Sequence, residues 1–155
     1  MIPPDVINYT LTREVSVRTV MQWAHLVSAV VAVGGTAFLR FVLLPAAAGL
    51  DEGARKALMG RVLGRFRPVL WSCIGVLLLT GLHNMAMVAG TASSPYLSAL
   101  TVKIALAFIL FAVAFALTIP GAMFAGMQAR RKTWLTVNVV LALMVVFLSA
   151  YLRRM

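Results

Sequence analysis

Four long apolar runs, separated by short polar or basic stretches, organise this chain of 155 residues. The first covers about 18–44 and ends at Pro45. The second, about 68–89, is opened by Pro68 and closed by Gly90. The third runs from about 96 to 119, where Pro120 and Gly121 end or kink it, and the fourth from about 134 to 152. A run of about 20 apolar residues spans the hydrocarbon core as a helix, because in lipid every backbone N–H and C=O must be satisfied within the segment. The pattern therefore predicts an all-α, integral membrane four-helix bundle in a single domain, 1–155. Within the first loop, Leu50, Ala54, Ala57, Leu58, Val62 and Leu63 recur at helical spacing opposite Arg55 and Arg61, which predicts a short amphipathic helix lying on the membrane surface.

Composition agrees with the pattern. The chain is 62% hydrophobic and 12% charged, too apolar for a soluble domain of this length. Its net charge of +10 would suggest nucleic acid in a soluble protein, but here the basic residues sit at the ends of apolar runs, where they meet lipid headgroups, so no nucleic-acid partner is expected. Nine lysines and arginines flank the first and third loops (Arg40, Arg55, Lys56, Arg61, Arg65, Arg67, Arg130, Arg131, Lys132), and five lie on the other side (Arg13, Arg18, Lys103, Arg153, Arg154). The positive-inside rule then puts both termini outside and the first and third loops in the cytoplasm, an arrangement expected of a bacterial inner membrane protein. The first seventeen residues, with Asp5, Arg13 and Glu14, lack the order of a signal peptide and read as a retained, surface-lying segment. Trp134 suits an inner interfacial anchor, and Tyr96 and Tyr151 the outer belt.

Candidate chemistry is sparse. Asp5, Glu14, Asp51 and Glu52 are the only acids and all lie outside the runs, so proton chemistry by a buried carboxylate is not expected; any catalysis would be run by a bound cofactor. Cys73 is the only cysteine and reads as a small apolar filler. The two histidines are more telling. His25 lies seven residues after Arg18 and His83 seven before Gly90, and since consecutive helices run antiparallel, both imidazoles fall roughly 10 Å in from the same, outer surface at 1.5 Å rise per residue. Polar groups at that depth are costly and tend to face the bundle interior with a partner.

On its helix, His25 shares a face with Met21 and with the small residues Ser28, Ala29, Ala32 and Thr36, and His83 shares one with Met87. Small residues admit either a neighbouring backbone or a flat macrocycle. Imidazole and thioether together suit Cu(I), and imidazole pairs also suit haem iron. Lys103 enters the third run from the same end, where it either snorkels to the headgroups or pairs with an anionic group beside the histidines. Thr80 and Asn138 are further polar residues of the interior without an assigned role.

The segments Trp23-Ala24-His25-Leu26 and Gly34-Gly35-Thr36-Ala37-Phe38-Leu39-Arg40-Phe41-Val42-Leu43-Leu44-Pro45, followed by Arg65-Phe66-Arg67, Trp71 and Gly75 to Gly81, resemble the membrane domain of the copper-resistance D (CopD-like) proteins. More distantly they resemble the small haem-binding HemJ-type protoporphyrinogen oxidases. The likeness covers roughly Trp23 to Leu117, with His25 matching the histidine of the family's first helix and Lys103 the lysine that opens its third. Ala32-Val33 replaces the tryptophan often found before the glycine pair, and the fourth run has no histidine.

The resemblance implies a redox or copper-handling membrane protein with haem b ligation. The leading expectation is haem b held between His25 and His83, with Lys103 nearby, and electron transfer at the outer face. The alternatives are copper binding or transport through Met21, His25, His83 and Met87, and a cofactor-free accessory subunit of a larger membrane complex.

Overall fold

The computed structural model describes the backbone of residues 4–88, 90, 93–119 and 122–154, with side chains from 13 onward except at 122. Among these residues every regular element is a helix, and four helices are long and apolar enough to cross a membrane. They are α1 (Pro4–Phe38), α2 (Glu52–Val88), α3 (Ser94–Thr118) and α4 (Arg131–Leu152). The part of the second loop at 91–92 and the Pro120-Gly121 break lie outside the described residues.

Three boundaries differ from the sequence expectation. Pro45 does not end the first helix: α1 passes into a π turn, Leu39–Leu43, in which Leu44 N–H reaches back to the Leu39 carbonyl, and continues through Leu44–Ala46 and a 3-10 turn, Ala47–Gly49. A proline cannot bond the carbonyl four residues before it and its ring crowds that carbonyl. Widening the preceding turn by one residue lets the rod run on through the ring.

Likewise Pro68 does not open the second span. It lies inside the 37-residue helix α2, so the amphipathic stretch is helical from Glu52 but is not a separate helix. It forms the amino-terminal part of α2 instead, with Asp51 Oδ1 accepting the Ala54 N–H at 2.9 Å and Glu52 paired with Lys56 at 2.7 Å. The first seventeen residues are not separate either, since α1 is helical from Pro4 onward. At the other end, α3 stops at Thr118, one residue before the expected 119, and α4 begins at Arg131, three residues before the expected 134, after a short turn of helix, Ala125–Ala129.

The helices associate as two antiparallel pairs, α1 with α2 and α3 with α4. The pairs meet chiefly through α1 and α4, while α2 and α3 touch sparsely. Small residues set the closeness of the first pair. Ser28, Ala32 and Thr36 are buried along one face of α1, so the small stripe predicted around His25 does face the interior.

At Gly35 an added Cβ would fall well inside contact distance of the Phe66 ring, which fills the gap that this glycine leaves. Phe66 in turn packs on both buried clusters, Ala32-Leu70-Cys73-Ala114 and Leu39-Val113-Leu117-Leu135. Polar ties add direction: Arg40 Nε donates to Thr136 Oγ1 at 2.6 Å between α1 and α4, and Trp71 Nε1 donates to Thr118 Oγ1 at 3.2 Å while stacking on Phe115. Outside these seams the surface is Phe, Leu, Val and Ile, and even the most enclosed span is only 28% buried. A lipid bilayer is the environment that such a surface fits.

Candidate cofactor site at the histidine end

His25 is half-buried on α1 and packs directly on α2, with its Nδ1 2.7 Å from Thr80 Oγ1 and its Cε1 3.9 Å from where a side chain on Gly81 would begin. Thr80 is 4% exposed, and its hydroxyl lies 2.6 Å from the Val76 carbonyl. A hydroxyl has one proton, and a carbonyl can only accept. The proton therefore goes to Val76, leaving Thr80 Oγ1 to accept from His25 Nδ1–H. In that tautomer His25 Nε2 carries a lone pair, and it makes no hydrogen bond among the described residues. Fixing one ring nitrogen as a donor so that the other can act as a ligand is the usual device for orienting a metal-binding histidine.

His83 lies three residues beyond Thr80 on α2, on the same side of that helix. Its Nε2 is buried and has no partner among the described residues. Because His25 packs on Thr80 and Gly81, two to three residues before His83, the two histidines are offset along the bundle by about 3–4.5 Å, less than one helical turn. The expected match in depth thus holds only to within a turn.

Lys103, half-buried on α3, comes nine residues after that helix begins at Ser94, at the end of the bundle where α2 finishes. The three residues His25, His83 and Lys103 thus belong to one end of the bundle.

The methionines divide. Met21 is half-buried, whereas Met87 is 46% exposed and is not enclosed with His83. Among the described residues no three His, Cys, Asp or Glu side chains gather, so a copper site here would need methionine sulfur to complete it. Cys73 is buried in the core beside Ala32 and Leu70, as its reading as a filler requires.

The role of Thr80 was not legible in the sequence, where only its position one turn from His83 marked it. Asn138 is buried on α4 with its Oδ1 unpartnered among the described residues, in the opposite half of the bundle, where it lines a small cleft with Thr36, Thr118 and Arg131. Compared with protein families, curated proteins and solved structures, the chain matches none.

Proposed function

We propose that the protein is a small membrane redox protein that binds haem b through His25 and His83 and passes electrons near the outer face of a bacterial inner membrane. Both termini lie outside in this reading, and the loops after the first and third spans are cytoplasmic, as the nine-to-five distribution of basic residues favours. The observation that carries the reading is the pair of imidazole nitrogens left over at one end of the bundle: His83 Nε2, buried without a partner, and His25 Nε2, freed by the bond between Nδ1 and Thr80. A buried polar atom left unpaired costs about 1–3 kcal/mol, and binding a haem iron would remove that cost.

The donor set suits haem iron, which His25 and His83 would hold through their free imidazole nitrogens. Haem b supplies one-electron chemistry when bound. The chain's own residues do the rest. Thr80 would hold the tautomer and ring plane of His25, and Lys103 would offer a positive charge to a propionate. The likeness of Trp23 to Leu117 to the CopD-like membrane domain supports the same reading, with His25 and Lys103 at its matching positions.

Copper is the second reading, favoured by the half-buried Met21 one turn from His25 and weakened by the exposure of Met87. Quantifying haem and copper in the purified protein separates them. Haem bound in proportion to the chain, without copper, supports the proposal. Stoichiometric copper in a colourless protein overturns it in favour of the second reading. A chain with neither, recovered only inside a larger assembly, would instead make it an accessory subunit.

A further inference from the structure

In the half of the bundle opposite the histidines, Asn138 of α4 is 4% exposed, and its Oδ1 is buried with no partner among the described residues. An enclosed amide oxygen without a hydrogen bond costs more than an apolar side chain of the same size in that place. A donor is called for.

Asn138 lines a cleft of about 20 Å³ with Thr36 of α1, Thr118 at the end of α3 and Arg131 at the start of α4, and the remaining walls are apolar. One water takes about 10–15 Å³ of such space, so the cleft has room for one water but for neither an aromatic ring nor a lipid headgroup. Since Arg131 and Asn138 are seven residues apart on α4, the cleft reaches about 10 Å inward from the start of that helix.

The hydrogen bonds already made decide what chemistry fits. Thr36 gives its hydroxyl proton to the Ala32 carbonyl at 2.8 Å, and Thr118 gives its own to the Ala114 carbonyl at 2.9 Å, so both hydroxyls keep only lone pairs for a ligand. With Asn138 Oδ1 they disfavour an anion. Arg131 sends one guanidinium nitrogen 3.0 Å to the Leu117 carbonyl and keeps its other N–H groups and its charge, which disfavour a cation. A small neutral molecule that both donates and accepts meets every one of these demands.

We propose that this cleft is a binding site for a single water, held by the Asn138 amide together with at least one of Thr36, Thr118 and Arg131. Such a water joins α4 to its neighbours two residues from Thr136, whose bond to Arg40 already ties α4 to α1.

The test is the crystal structure of the full chain, grown from a lipidic phase and refined at a resolution that shows ordered waters, beside that of Asn138→Leu, which keeps the volume and removes the amide. One solvent peak is expected about 3 Å from the Asn138 amide and from a second polar atom of the cleft, and it should be lost in the leucine variant. Bromide-soaked crystals should show no anomalous peak there. Should the leucine variant fail to fold, Asn138→Val takes its place.

The proposal is overturned if the amide bonds directly to another group of the chain with no solvent peak beside it. It is equally overturned by a bromide peak, which would make the site one for an anion, or by a solvent peak that survives removal of the amide unchanged.

Discussion

Thr80 accepts the Nδ1 proton of His25 across the α1–α2 seam at 2.7 Å while giving its own to Val76 one turn back. This relay ties the orientation of the one imidazole on α1 to a hydroxyl whose rotation is itself locked. Thr80→Val, nearly isosteric, keeps the packing and removes the acceptor. It is expected to lower stability by about 1 kcal/mol, the net value of one hydrogen bond, and to loosen cofactor retention. Thr80→Ser should restore both. Thermal unfolding and cofactor content, measured on the same preparations, check this.

Gly34 and Gly35 are neighbours with opposite expectations. Alanine at 35 drives a methyl into the Phe66 ring, which is wedged between two core clusters, and should cost about 1–3 kcal/mol. Alanine at 34 meets nothing within 4 Å and should be neutral, or stabilising by up to about 1 kcal/mol through helix propensity. Unfolding of the two variants side by side in a denaturing detergent series separates close approach from glycine content.

Arg40 and Thr136 join the two helix pairs through one bond of 2.6 Å. Removing either partner, by Arg40→Met or Thr136→Val, should destabilise the bundle by about 1–2 kcal/mol, and the double variant should cost less than the sum. A double-mutant cycle that came out additive would show that the bond contributes nothing.

Cys73 is 9% exposed in the cluster with Ala32 and Ala114. A maleimide should therefore leave it unmodified in the folded protein and label it as α1 and α2 separate, so that labelling tracks the unfolding curve. Rapid labelling of the folded chain would contradict the packing of that seam.

Much of the fold is legible in the hydropathy pattern alone, because span length and apolarity are dictated by the bilayer and not by any single contact. The helix ends are less so. Pro45 and Pro68 carry the local signature of a boundary, but a π turn absorbs the first and α2 runs straight through the second, so that two elements inferred from prolines become one 37-residue helix. Helical periodicity also places Met21, His25, Ser28, Ala29, Ala32 and Thr36 on one face, and Ser28, Ala32 and Thr36 are buried there while the other three are half-buried.

What periodicity cannot supply is which side chain answers which across a seam. Thr80 against His25, Phe66 against Gly35 and Thr136 against Arg40 depend on the register between helices, a quantity to which the whole bundle contributes. The offset of less than one turn between the histidines belongs to the same class. Counting inward from Arg18 and Gly90 put both at one depth, and the packing of His25 on Thr80 moved them apart.

The absorption spectrum of the purified protein, alongside those of His25→Ala and His83→Ala, tests haem ligation most directly. Ligation by both imidazoles predicts a Soret band in the parent that is lost or strongly reduced in each variant, with helicity retained in all three. A parent without a Soret band after expression with sufficient haem, or a band that survives both substitutions unchanged, would contradict it.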